Sequence, residues 1–518
     1  MKPEQAYAFL REHSLETAHL GSALALLYWD QRTMIPREAH PHRAEQTARL
    51  TSLVHRRRTD PARGEALAAL DGAALVRDPL AVEAVNVREW RRAFDRDTRI
   101  PERLAVELAR TCAEAETAWE SARPANDWEG FRPHLERVLA LRREQAECLG
   151  YEVEPYDALL EEYEPGERAA DIEPVFAALR ERIVALLDRL RGSSAWRAPL
   201  PGATHAGSEG SPIARRFPVP AQRAFSRRVI EYLGFSFASG RLDESAHPFS
   251  TSIGPRDARI TTRYDERHFN AAFFGSVHET GHSLYELGLA PEHWGTPVGE
   301  AVSLGIHESQ SRLWENMVAR SRGFWSFFHA DAQLAFEALR DVDLDEMHFA
   351  VNEVQPSLIR VEADEVTYNL HIMLRFELEL ALLRGDLTVA DLPGAWNERM
   401  RAYLDVEPAT HADGVLQDVH WSAGLVGYFP TYALGNVYAA QLFAAAARDL
   451  APGEPDGLEG LFARGEFQAL LDWLRDKVHR HGMRHLPRDL VREATGTERS
   501  ADFLADYLDA KFGALYGA

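Results

Sequence analysis

Cysteine is nearly missing from this 518-residue chain, with Cys112 and Cys148 its only two. Two cysteines build no disulfide framework, and with no third ligand beside either one a thiolate metal site is not expected. Lysine is as scarce. Lys2, Lys477 and Lys511 are the three, and arginine supplies every other basic side chain. Genomic base composition and selection for arginine ion pairs at high temperature both produce that bias. No apolar run approaches the roughly 20 residues that cross a bilayer. The opening MKPEQAYAFLREHS has no apolar core of a secretory signal. Net positive charge is absent too: the formal balance is −22, which speaks against nucleic acid or an anionic membrane as partner. These absences lead us to expect a soluble, cytoplasmic enzyme.

What is present reads mostly as helix. Ala, Leu, Arg and Glu recur at three-to-four-residue spacing through Ala105–Ala118, Glu173–Arg191 and Ala221–Leu233. A long helix is expected from Pro356 to Leu383, with Gly385 just past its end, and another from Pro430 to about Leu450. One stretch differs. Phe249–Ile253 and Ala258–Tyr264 are Thr/Ile/Phe-rich runs flanking Gly254-Pro255-Arg256-Asp257, which predicts a β-hairpin. Gly192–Pro220, rich in Ser, Gly, Pro and Ala, reads as a loop or insertion. The expected fold is mainly α, one catalytic domain over 1–518 without a sub-boundary, with a small sheet near its centre.

The chemistry concentrates at His278-Glu279-Thr280-Gly281-His282. Residues four apart share a helix face, so both imidazoles reach one metal ion. Glu279 is offset from them, placed to take a proton from the attacking water rather than to coordinate. The plainer alternative is a pair of surface histidines on an amphipathic helix. Catalytic zinc usually takes three protein ligands, and Glu308 in Gly305-Ile306-His307-Glu308-Ser309-Gln310 is the next candidate, on an expected helix Ala301–Val318. Its alternative is an exposed carboxylate paired with Arg312 at i+4. A helix with two histidines followed by a helix with a glutamate is the pattern of glutamate-type zincins, and it favours the joint reading.

The sequence resembles the thermostable metallocarboxypeptidases of the carboxypeptidase Taq type. Six motifs in order carry the resemblance: His247-Pro248-Phe249, Asp257-Ala258-Arg259-Ile260-Thr261, the HETGH run, His307-Glu308-Ser309-Gln310, Ile359-Arg360-Val361-Glu362-Ala363-Asp364, and Gly414-Val415-Leu416-Gln417-Asp418-Val419-His420-Trp421. Trp29-Asp30-Gln31, Tyr156–Leu160 and Gly427–Tyr432 extend it toward both ends, and Gly202–Ala214 departs by being longer and more polar. The resemblance implies a helical metallopeptidase fold with a deep central groove and the small sheet beside the active-site helix. It also implies a homodimer, one zinc or cobalt ion, and broad release of single C-terminal residues with poor tolerance of proline.

A carboxypeptidase must hold a free α-carboxylate, for which a bidentate guanidinium is well suited. Arg360 and Arg259 lie in family motifs and are the candidates, Arg360 preferred, with a helical ion pair to Asp364 as its plainer role. By resemblance His420 and Tyr432 supply oxyanion donors. His247 and Gln417 are weaker candidates for substrate contact. Endopeptidase or dipeptidyl carboxypeptidase action on the same framework remains an alternative, and a non-enzymatic peptide-binding scaffold is another.

Overall fold

A computed structural model describes residues 1–197, 210–454 and 456–518. Helix dominates, and its apolar spacing shows why. Ala169–Arg191 buries Ile172, Phe176, Leu179, Ile183, Leu186 and Leu190, one stripe along one face. Such stripes from Ala122 to Tyr516 merge into one continuous hydrophobic core. A separate small core joins Pro3–Thr33, Pro61–Ala68 and Val82–Arg99 through Ala6, Leu10, Leu67, Leu70 and Trp90. The helix His40–Arg58 buries none of its residues. Lys511 is enclosed and donates to Glu365 at 2.6 Å. Among the described residues no helix is long and apolar enough to cross a membrane.

The expected hairpin is present as β2 (Ser250–Gly254) and β3 (Asp257–Thr262), paired antiparallel. A further strand, β1 (Gly240–Glu244), runs parallel to β3 in a sheet of order β1-β3-β2. Its sequence GRLDE has no apolar alternation to announce it. Arg241 and Arg259 sit opposite each other in this register and both cover the ring of Trp29, at 4.8 and 4.4 Å. Two guanidiniums thus fasten the N-terminal helix Pro3–Thr33 to the sheet.

Two helix expectations change. The helix expected from Pro356 begins only at Tyr368 and ends at Arg384, where Gly385 takes φ +83°. Asp364 holds the segment before it open: its carboxylate accepts from the N–H groups of Gln355, Val366 and Thr367. Those bonds compete with a helical ladder. The helix expected over Ala301–Val318 is α-helical only from Leu304 to Arg312, capped by Ser303, and continues as a π-helix from Leu313 to Val318. Of the Gly192–Pro220 stretch, 198–209 lie outside the described residues. Its far end is packed, with Ile213 and Phe217 buried.

A cavity of about 1480 Å³ separates the N-terminal helices from the C-terminal end of the HETGH helix, with His13, Arg58, Trp90, Glu286, Glu300 and Arg475 among its walls.

Candidate metal centre and active site

His278, Glu279 and His282 lie on the helix Phe269–Gly288, buried on several sides by Phe273, Phe274, Val277, Leu284 and Tyr285. The Nε2 atoms of His278 and His282 lie 3.7 and 3.6 Å from Oε2 of Glu308. One donor atom from each residue falls within 4.8 Å of the other two. Tetrahedral zinc with ligands at 2.0–2.2 Å spaces its donors about 3.3 Å apart. Two imidazoles and one carboxylate at this spacing therefore fit a divalent ion.

Glycine makes the approach possible. A Cβ on Gly281 would stand 2.6 Å from the Gln310 carbonyl oxygen and from Ser311 Cα. The HETGH and Glu308 helices therefore touch backbone to backbone. A Cβ on Gly435 would meet Glu308 Cγ at 2.6 Å, so helix Pro430–Leu450 packs against the stem of that side chain. Glu308 is buried and divides its two oxygens. Its Oε1 accepts from Arg312 Nε at 2.7 Å while Oε2 faces the imidazoles.

The outer nitrogens are occupied. His278 Nδ1 lies 2.8 Å from Glu315, which also receives Arg312. His282 Nδ1 lies 2.6 Å from Nδ1 of His307, whose Nε2 lies 3.0 Å from Glu286. Burial pulls His278 down, but Glu308 and Glu315 outweigh it and leave it raised. Burial and neighbouring His307 hold His282 well below the usual histidine value. Burial would raise Glu315, yet Arg312 and His278 keep it far below the carboxylate range. Glu279 is pushed up to about 7, by burial first and by Glu308 and Glu315 against the pull of His278.

A second cluster surrounds Arg360. Asp418 Oδ1 accepts from Arg360 Nε and Nη2 at 3.0 and 2.8 Å, and its Oδ2 accepts from Arg375 Nε at 2.7 Å. Arg360 is thus paired with Asp418, and Asp364 instead receives backbone N–H groups. Tyr368 joins the clusters: its hydroxyl accepts from Arg360 Nη1 at 3.2 Å, and Arg312 lies 4.1 Å over its ring. His420 Nε2 is 3.2 Å from the Tyr432 hydroxyl, and Arg360 lies 5.2 Å from the Tyr432 ring centre. Burial, then Arg360, lowers His420 to about 4. Burial, then Tyr428, raises Tyr432 well above its ordinary value. At neutral pH the imidazole is neutral and the phenol keeps its proton.

Of the remaining candidates, Gln417 and Arg259 have their side chains engaged. Gln417 accepts from the Arg360 N–H at 2.9 Å and donates to the Leu358 and Asp413 carbonyls, holding the loop that carries Arg360. Arg259 makes a two-pronged pair with Asp257 at 2.9 Å besides covering Trp29. His247 is exposed, and its carbonyl accepts from Ser245 Oγ. Sequence reasoning missed Glu315, His307, Glu286 and Asp418 as partners of the site. It also missed Glu379, which accepts from Trp421, Tyr156 and the Gly427 N–H and anchors the His420 loop from within. His307 and Asp418 stood inside quoted motifs; for the other three no spacing rule was available.

A mostly helical scaffold with an HExxH helix, a downstream glutamate and a small flanking sheet defines a metallopeptidase. The chain belongs to the carboxypeptidase Taq (M32) metallopeptidase family, whose pattern it matches over residues 9–512. It is 54% identical to Thermostable carboxypeptidase 1 of Thermus thermophilus, covering 100% of both chains. It is 38% identical to Carboxypeptidase 1 of Bacillus subtilis strain 168, covering 96% of each. Its fold is similar to the crystal structure of the M32 carboxypeptidase from Deinococcus radiodurans R1, with a TM-score of 0.92, 41% identity, and coverage of 99% of this chain and 100% of that one. The protein is a metallocarboxypeptidase, a peptide hydrolase.

Proposed function

We propose that this enzyme releases single residues from the C-terminus of peptides, with Arg360 holding the terminal carboxylate. One observation carries the reading. Arg360 and Arg375 are both buried and share Asp418 as their ion-pair partner, so Arg360 has only part of one carboxylate as its counter-charge. A buried charge is costly unless a partner neutralises it. A substrate's α-carboxylate supplies that partner, and bidentate geometry suits it. Arg259 is already committed to Asp257 and Trp29, which leaves Arg360 the better clamp.

His278, His282 and Glu308 hold one divalent ion, zinc by donor type with cobalt as the alternative. When bound, the ion polarises the scissile carbonyl and acidifies the attacking water. Glu279 takes the proton from that water and passes it to the leaving amine. Among the described residues His420 Nδ1 has no hydrogen-bond partner, so a proton on Nε2 finds an acceptor in Tyr432. The Tyr432 O–H, which Tyr428 also meets, then turns to donate to the developing oxyanion. The reading treats the chain as one catalytic unit, supported by the continuous core from Ala122 to Tyr516. Broad specificity with poor tolerance of proline, a homodimer and a cytoplasmic setting complete it, supported by the family motifs and the charge of −22.

The test compares wild type and Arg360→Ala on matched peptides with free and amidated C-termini. Amidation removes a charge-assisted pair costing about 2–4 kcal/mol, so the wild-type specificity constant should fall roughly 30- to 1000-fold. In Arg360→Ala most of that preference should vanish. Equal wild-type cleavage of both peptides would replace this reading with an endopeptidase.

A further inference from the structure

The two metal-facing imidazoles are supported unequally. His278 meets a carboxylate directly, since its Nδ1 lies 2.8 Å from Glu315. His282 meets a second imidazole instead, with 2.6 Å between its Nδ1 and that of His307. Only beyond that ring, 3.0 Å from His307 Nε2, comes the carboxylate of Glu286.

Proton bookkeeping leaves one arrangement for this chain of groups. His282 presents Nε2 to Glu308 Oε2, so Nε2 is the atom offered to the ion and must carry no proton. A neutral imidazole then keeps its proton on Nδ1 and donates it. Nδ1 of His307 must accept, which puts the His307 proton on Nε2, where Glu286 receives it. Every donor meets an acceptor in this order. A carboxylate directly on His282 would stand beside Glu308, Glu279 and Glu315, where Glu308 and Glu315 already push Glu279 up. The intervening ring sets the fourth charge one imidazole further out. The Tyr285 ring, centred 5.2 Å from that of His307, packs beside the spacer.

We propose that His307 is a positioning residue, fixing His282 as the Nδ1–H tautomer with Nε2 free for the ion, and that Glu286 fixes the tautomer of His307 in turn. The proposal rests on His278, His282 and Glu308 being the ligands. Outer partners of this kind typically change metal affinity 10- to 100-fold.

The experiment is an equilibrium zinc competition against a chelator of known affinity, using the full chain. The variants are His307→Asn, His307→Gln, His307→Leu and Glu308→Ala, with the visible spectrum of each Co2+-loaded protein beside it. An asparagine carbonyl falls where Nδ1 of His307 accepts, whereas a glutamine carbonyl falls at the Nε2 position. His307→Asn should stay within about fivefold of wild type, while His307→Gln and His307→Leu lose 10- to 100-fold and alter the cobalt bands. A merely space-filling role would not rank asparagine above glutamine. Equal affinities for the asparagine and glutamine variants, or wild-type affinity in His307→Leu, would overturn the proposal. Should the leucine variant not fold, the amide pair still decides. Wild-type zinc affinity in Glu308→Ala would instead refute the ligand assignment itself, a separate outcome.

Discussion

The contact at Gly281 offers the sharpest test of how the metal site is assembled. In Gly281→Ala the new methyl would lie 2.6 Å from the Gln310 carbonyl oxygen and from Ser311 Cα, and 2.9 Å from the Gln310 carbonyl carbon. All three are backbone atoms, so no side chain can turn aside. Ordinary contact needs about 3.5 Å, and the helices Phe269–Gly288 and Leu304–Arg312 must part by roughly 0.9 Å. His282 adjoins the substituted residue and Glu308 lies two residues before Gln310, so the parting falls on the ligand spacing. Metal–ligand distances tolerate only about 0.2 Å. Zinc affinity should drop by about 100-fold or more, beyond the effect of losing an outer partner. Overpacking should also lower stability by about 1–3 kcal/mol. Zinc retained after dialysis against a graded chelator series measures the first effect, and denaturant unfolding of the metal-free protein measures the second. Gly394→Ala is the control: it lies in the helix Leu392–Leu404, and an added Cβ meets nothing within 4 Å. That variant should keep its metal and gain up to about 1 kcal/mol from reduced chain entropy. Wild-type zinc affinity in Gly281→Ala would show that helix separation does not set the ligand spacing, and the reasoning would fail.

Three further outcomes are expected. Glu279→Gln should hold zinc normally while turnover falls by about 100- to 10,000-fold, and near-normal turnover in the metal-loaded protein would remove Glu279 as proton carrier. Glu308→Ala should lose the metal on gel filtration and leave Arg312 without its carboxylate at 2.7 Å; a fully loaded variant would point to another ligand. Arg259→Ala should destabilise the protein by about 1–3 kcal/mol through the lost Trp29 and Asp257 contacts, yet keep the preference for free over amidated peptides. Loss of that preference would transfer the clamp from Arg360 to Arg259.

The sequence made the inner site readable because helical period alone brings His278 and His282 together, and Glu308 follows on the next helix. The outer support was not readable in the same way. Glu315 reaches His278 from the π-helical turn, whose register no α-helical count anticipates. Asp418 meets Arg360 across 58 positions of chain, while the local rule pointed to Asp364. That rule assumed a helix through Arg360, and the Asp364 bonds to Gln355, Val366 and Thr367 are what prevent one. β1 escaped because a strand written GRLDE owes its place to pairing with β3 rather than to any pattern of its own. The hairpin, the Pro430–Leu450 helix and the Gly385 stop were legible because turn and cap residues act locally.

The π-helical turn at Leu313–Val318 also bears on how this site tolerates change in chain length. A π turn is equivalent to one residue inserted into an α-helix, and removing one restores the regular ladder. Deleting Leu313 or Trp314 would therefore tidy the backbone while rotating Glu315 about 100° around the axis, away from His278. The shortened helix would be the more regular structure and the poorer metal site. At this point in the chain a one-residue gap between relatives would mark a change of chemistry, even where every ligand is retained.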